Sequence, residues 1–229
     1  MFLAEILIFV AYRFIIFNMF VDIHTHSVPD ANSAAIQNLT FAEAGKVFAS
    51  AQNGLFSVGF HPWFASEFSE KSMLQLEKWA SDDRLVLIGE CGLDKNSKVP
   101  LQEQIDVFQQ QIRLSEKIQK PLIIHCVGCF NELFDLKKTI KPQQHWIIHG
   151  FRGKPQLAAQ ALKAGCFLSF GEHFNPESVR LTPIDKLLVE TDESSLPIEE
   201  LYNPIAILKE IETSKLTAGK LIYKGFSCK

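Results

Sequence analysis

The chain has 229 residues, a formal charge of −3 at pH 7, 47% apolar and 21% charged residues. That length can bury a full core, and the composition excludes a disordered, collagen-like or disulfide-stapled chain. Its mild acidity excludes a protein that grips nucleic acid by bulk charge, leaving room only for a local basic rim. Five scattered cysteines (91, 126, 129, 166 and 228) match a reducing compartment, and a cytoplasmic protein is expected.

The first 18 residues, MFLAEILIFVAYRFIIFN, stand apart from this average. Glu5 and Arg13 interrupt the apolar run, which falls short of the roughly 20 apolar residues of a spanning helix. Acid precedes the run and no small-residue cleavage site follows it, unlike a secretory signal. Met19 then opens the alternation Phe20-Val21-Asp22-Ile23-His24. The reading is that Met19 is the natural start, residues 1–18 being an upstream addition, with no membrane partner on that reading. An apolar helix covering the barrel and a membrane anchor are the alternatives.

Residues 19–229 carry no linker or repeat and read as one domain. Short apolar runs at 20–24, 34–39, 55–60, 84–90, 121–125, 145–149, 166–170 and 186–191 read as strands. Helical spacing marks 41–52, 67–80, 100–119, 129–140, 153–164 and a stretch within 199–224. Strands alternating with helices predict an α/β fold, a compact, distorted (β/α)8 TIM barrel. The connection from His26 to Ala34 is shorter than the dozen or so residues of a crossover helix, so the first helix is expected to be missing.

His24, His26, His61, His125 and His149 close apolar strands or follow them directly, and Glu90 and Asp192 end two more. Barrel active sites are built at the carboxyl ends of strands. Strand period puts Asp22, His24 and His26 on one face, so both imidazoles can address one ion. Each signal alone is weak. Together they bring four histidines, His24, His26, His125 and His149, and the two carboxylates to one rim, a donor set suited to Zn, Mn or a related divalent ion, and able to support two ions. Asp192 is the expected base toward water. Asp22 and Glu190 share parity with His26 and Asp192 and are expected to support the ligands from behind.

These residues resemble the TatD-type deoxyribonuclease family, among the metal-dependent hydrolases related to amidohydrolases. The matching segments are Asp22-Ile-His-Thr-His26, Val58-Gly-Phe-His-Pro62, Ile88-Gly-Glu-Cys-Gly-Leu-Asp94, Pro121-Leu-Ile-Ile-His125, Ile148-His-Gly-Phe151 and Val189-Glu-Thr-Asp192. The resemblance implies a hydrolase on a distorted barrel that cleaves phosphodiesters of DNA with one or two divalent ions (Zn, Mg or Mn). It also implies His24, His26, Glu90, His125, His149 and Asp192 as metal ligands, Glu90 as the bridge between two ions, and catalytic or substrate-binding work for His61. The short first connection and an abbreviated C-terminal segment depart from the family, as do two motif segments. No Arg follows His125 in His125-Cys-Val-Gly-Cys-Phe130, and Glu193-Ser-Ser-Leu-Pro197 replaces the usual Ser-Pro-Tyr. Arg152, with Lys154, offers a substitute phosphate contact.

Two other readings compete. His24-Thr-His-Ser-Val-Pro-Asp30 also resembles the opening motif of PHP-type phosphoesterases acting on small phosphate esters, and a non-catalytic metal-binding scaffold is the third reading. Cys126 and Cys129 read as structural thiols, since no thioredoxin-like pattern accompanies them. Cys91 is expected to point away from Glu90's face. Phe41, Phe48, Phe56, Phe60, Phe64 and Phe68 read as packing and rim residues rather than a base-stacking platform.

Overall fold

The computed structural model describes residues 20–29, 34–219 and 222; the N-terminal run, Met19 and Cys228 lie outside them. Eight short runs rich in branched residues form strands: β1 (Val21–Thr25), β2 (Ala34–Leu39), β3 (Leu55–Val58), β4 (Leu85–Asp94), β5 (Leu122–Val127), β6 (Trp146–Ile148), β7 (Phe167–Phe170) and β8 (Leu187–Val189). All are parallel and pair in chain order. β8 returns to β1 just past its own end, through a parallel bridge between Thr25 and Asp192. There the His26 N–H donates to the Asp192 carbonyl (3.1 Å) and the Asp192 N–H to the His24 carbonyl (3.0 Å). The expected barrel is present, and its closing seam lies at the rim that carries the acids and imidazoles.

The helices are α1 (Phe41–Val47), α2 (Glu70–Ala80), α3 (Leu101–Ile118), α4 (Phe130–Ile140), α5 (Pro155–Lys163), α6 (Pro176–Leu181) and α7 (Ile198–Leu208). No helix separates β1 from β2 among the described residues, as the short connection requires. Tyr202 of α7 covers β1 instead: its hydroxyl donates to the Val21 carbonyl (2.9 Å) and accepts from the Val21 N–H (3.2 Å).

Several boundaries differ from the sequence expectation for local reasons. α1 starts on a capping box between Thr40 and Glu43 but stops at Val47 rather than 52. The carbonyls of Val47, Ser50 and Gln52 turn instead to the Arg84 guanidinium. The segment before α2 is a separate 3-10 turn, Pro62–Glu67, begun by Pro62. α6, absent from the expected elements, is only six residues long, too short for a periodic signal; Asn175 caps it. β4 runs to Asp94 because Gly92, Leu93 and Asp94 pair with His125, Cys126 and Val127.

Two apolar layers follow from strand alternation. Inside the barrel, Ile23, Ile36, Leu87, Ile123, Ile147 and Leu188 pack together, joined by Ala218 and Ile222 from the C-terminal segment. A larger layer lies between sheet and helices, including Val58, Phe108, Trp146 and Leu168. Cys91 belongs to that outer layer, facing away from Glu90 as expected, and its thiol meets the Ile123 carbonyl at 3.4 Å. Gly89, at φ +135°, leaves no room for a side chain, since a Cβ would collide with the Ile123 carbonyl oxygen. The missing side chain lets β4 press against β5 and brings Glu90 and His125 together.

Candidate metal centre

Glu90 lies at the middle of the site, nearly buried among five imidazoles. One oxygen, Oε2, faces His24 Nε2 (3.6 Å) and His26 Nε2 (3.4 Å). The other, Oε1, faces His149 Nε2 (2.8 Å), His125 Nδ1 (3.0 Å) and His61 Nε2 (3.3 Å). Asp192 Oδ1 completes the first group, 3.7 Å from His24 Nε2 and 3.6 Å from His26 Nε2. The sequence-derived ligand set thus converges on one rim, divided by a single carboxylate into two lobes. Donor atoms lie within 4.8 Å of one another in three combinations: His24, His26 and Glu90; His24, His149 and Asp192; and His61, Glu90 and His125.

Supporting contacts fix these side chains. Asp94 Oδ2 accepts from His125 Nε2 at 2.8 Å, which aims the Nδ1 lone pair at Glu90's lobe. The same oxygen accepts from the Trp63 indole N–H at 2.6 Å. Gln104 holds Asp94 by its backbone, accepting from the N–H (2.8 Å) and donating to the carbonyl (3.1 Å). Glu190 backs His149 at 3.5 Å from Nδ1 and accepts from the Gly150 N–H. Asn38 Oδ1 accepts from the Glu90 N–H (3.1 Å) and from the Ser57 hydroxyl (3.0 Å).

Asp22 supports the site through the backbone rather than through an imidazole. It accepts from the Thr191 N–H (3.0 Å), the Thr191 hydroxyl (2.6 Å) and the His24 N–H (3.3 Å). Asp192, one residue beyond Thr191, has φ +56°, the left-handed region that a short acidic residue tolerates at some cost. The His24 carbonyl and the His26 N–H hold its backbone there, while Asp22 holds the preceding Thr191.

His61 caps the turn after β3, and its Nδ1 accepts from the Trp63 N–H at 3.2 Å. That bond places the ring proton on Nε2, so His61 presents an N–H toward Glu90 rather than a free lone pair. Gln111 from α3 fixes the approach: it accepts from the Phe60 N–H (2.7 Å) and donates to the Phe60 carbonyl (3.0 Å). Arg152 and Lys154 are exposed on the loop after His149, and no hydrogen bond or ion pair joins Arg152 to the cluster among the described residues.

The electrostatics match a cation between these groups. Burial, followed by the neighbouring His149, pushes His24 down to about 3, so this imidazole is neutral at pH 7. Neither of its ring nitrogens has a hydrogen-bond partner, although both are buried. An orphaned neutral imidazole beside two carboxylates is the donor set a divalent ion completes. Burial raises the Glu90 carboxyl, yet His149, His125 and His26 outweigh it and hold the group well below its ordinary range. Burial lowers His149, but Glu90 and Glu190 carry it well above the usual imidazole value. Asp192 is raised by burial, and by Glu190 and Glu90, against the opposing pull of His149.

Asp94, Asn38, Gln111 and Trp63 were not singled out as functional from sequence. Asp94 had a usable signal, since it shares strand parity with Glu90 once β4 is known to continue. Asn38 and Gln111 act across the barrel, and nothing local marks them.

A parallel barrel with imidazoles and carboxylates gathered at its carboxyl-terminal rim defines a class, the metal-dependent barrel hydrolases. Comparison with known proteins narrows the class. The profile described as TatD related DNase matches residues 19–211. A metal-dependent hydrolase of Buchnera aphidicola subsp. Baizongia pistaciae is 30% identical over 189 residues, 77% of this chain and 70% of that protein. The 3'-5' ssDNA/RNA exonuclease TatD of Cronobacter sakazakii is 31% identical over 183 residues, 71% of this chain and 68% of its own length. The matched region thus spans about two thirds of these relatives. A crystal structure of a TatD homologue from Escherichia coli K12 superposes with a TM-score of 0.75 at 20% identity, covering 90% of this chain and 96% of that one. The chain belongs to the TatD-related DNase family, and with it to the metal-dependent hydrolases. No helix among the described residues is long and apolar enough to cross a membrane.

Proposed function

We propose that this chain is a cytoplasmic phosphodiesterase acting on DNA or another single-stranded nucleic acid, with two divalent ions drawn from Zn, Mg and Mn. The observation that carries the reading is the division of the donors by Glu90, whose two oxygens face different imidazoles. His24, His26 and Asp192 would hold one ion with Glu90 Oε2; His125 and His149 would hold the other with Glu90 Oε1. When bound, such ions polarise a phosphoryl oxygen and lower the pKa of water toward ~7. Asp192 accepts the proton from attacking water, a task suited to a carboxylate whose pKa its surroundings raise. His61, protonated on Nε2, donates to a phosphate oxygen. Arg152 and Lys154 receive the strand's outer phosphates.

The names of relatives support a nuclease over the PHP-type phosphoesterase, and the complete donor set supports an enzyme over a scaffold. The test is a side-by-side assay of a single-stranded oligonucleotide and p-nitrophenyl phosphate with each ion. Faster turnover of the oligonucleotide supports the proposal. Faster turnover of the monoester favours the phosphoesterase, and retained metal without hydrolysis of either favours the scaffold.

A further inference from the structure

We propose that Trp63 and Phe64 form a stacking platform for the bases of a single strand whose phosphate lies at the metal centre. The inference rests on the nuclease reading above and adds how the strand is gripped. Both rings are unusually open for large aromatics, 55% and 54% exposed. Both stand beside His61, with ring centroids 5.6 and 6.1 Å from its imidazole. The other phenylalanines of this region behave as packing residues: Phe56 and Phe60 are buried, while Phe41, Phe48 and Phe68 pack against the core. Phe64, among the residues read from sequence as packing or rim, is the one that stands open at the rim.

The platform is anchored to the site. The Trp63 indole N–H donates to Asp94 Oδ2, the same oxygen that accepts from His125 Nε2. The Ser97 hydroxyl donates to the Pro62 carbonyl at 3.3 Å, tying the loop after β4 to the turn that carries both rings. Exposed Lys95 leads that loop, its N–H donating to the Val127 carbonyl at 2.9 Å. Fixed, open aromatic faces are the elements by which proteins hold single strands without reading sequence. A base stacked on Trp63 places its own phosphate toward His61. The occupant is therefore a single-stranded nucleic acid with unpaired bases, since a duplex keeps its base faces inside the helix.

The test compares a decathymidylate with a strand of the same length carrying abasic internal sites, using metal-loaded protein. Intact protein should prefer the base-bearing strand by about tenfold in kcat/KM, the magnitude of one stacked base. Trp63→Ala should bring that ratio close to one, mainly through KM. Trp63→Phe, which loses the bond to Asp94 but keeps a ring, should preserve most of it. A phosphorothioate decathymidylate should also quench tryptophan emission of the intact protein, and the quenching should vanish in Trp63→Phe. A base preference that survives in Trp63→Ala, or emission unaffected by the strand, overturns the platform. Equal hydrolysis of both strands by intact protein also removes the platform and leaves the nuclease standing. Hydrolysis of neither strand with any of the three ions removes both.

Discussion

Asp94 Oδ2 lies 2.8 Å from His125 Nε2, on the side of the ring opposite Glu90. A carboxylate behind a ligating imidazole fixes its tautomer and raises its basicity, and loss of such a partner typically costs 10–100-fold in metal affinity or activity. Asp94→Asn should therefore raise the ion concentration needed for half-maximal hydrolysis by about 10–100-fold. A metal titration of the initial rate checks this, and an unchanged midpoint would show that Asp94 does not support ion binding through His125.

Gln111 is the brace for the segment leading to His61. Both its amide atoms are bonded to the Phe60 backbone in a buried setting. Gln111→Leu leaves the Phe60 N–H and carbonyl without partners, a loss of about 1–3 kcal/mol. For a domain of this size that is roughly 2–12 °C in Tm. Thermal unfolding measures it; a Tm within a degree of the parent would mean that Phe60 finds another partner.

Asp82 and Arg84 join the loop after α1 to the start of β4. Arg84 bonds both Asp82 oxygens and three carbonyls. The hydrogen bond from Arg84 holds the Asp82 carboxyl below its usual 3.8. A carboxyl depressed in the folded state stabilises fully above its unfolded pKa and loses that contribution as pH falls through the folded one. Asp82→Asn should thus lower stability by about 1 kcal/mol at pH 7, a modest figure because the pair is partly exposed. The gap from the parent should begin to narrow below about pH 4 and close as pH falls through the lowered folded value. Denaturant melts at pH 7 and pH 3 decide it; a gap constant with pH would assign the effect to geometry alone.

Arg152 is the exposed cation after His149. Replacing a phosphate-contacting arginine removes about one unit from the salt dependence of strand binding. Arg152→Ala should weaken binding similarly for strands of different sequence and reduce the slope of log Kd against log salt by about one. Titrations at several salt concentrations test this, and an unaltered slope would exclude Arg152 from the strand path.

The sequence made the barrel and its rim of imidazoles and carboxylates legible because both depend on local order. Apolar runs mark the strands, and a parallel barrel brings every strand end to one face, so His24, His26, Glu90, His125, His149 and Asp192 had to meet once the topology was known. What remained hidden depends on pairing across the barrel. The last residues of β4 become strand only because β5 extends alongside them, and this places Asp94 under His125. Asp22 shares a face with the histidines beside it, yet the return of the chain after β8 gives it to Thr191. Likewise Trp63 reads as an ordinary aromatic after a Pro until Asp94 fixes its indole.

The claim on which the rest depends is that Glu90 joins two ions. Metal content per chain, measured by plasma mass spectrometry after loading with Mn or Zn and removal of free ion, tests it most directly in the parent and in Glu90→Ala. The division of donors between the two Glu90 oxygens predicts two ions in the parent and at most one in the variant. One ion in the parent, or two retained by Glu90→Ala, would contradict it.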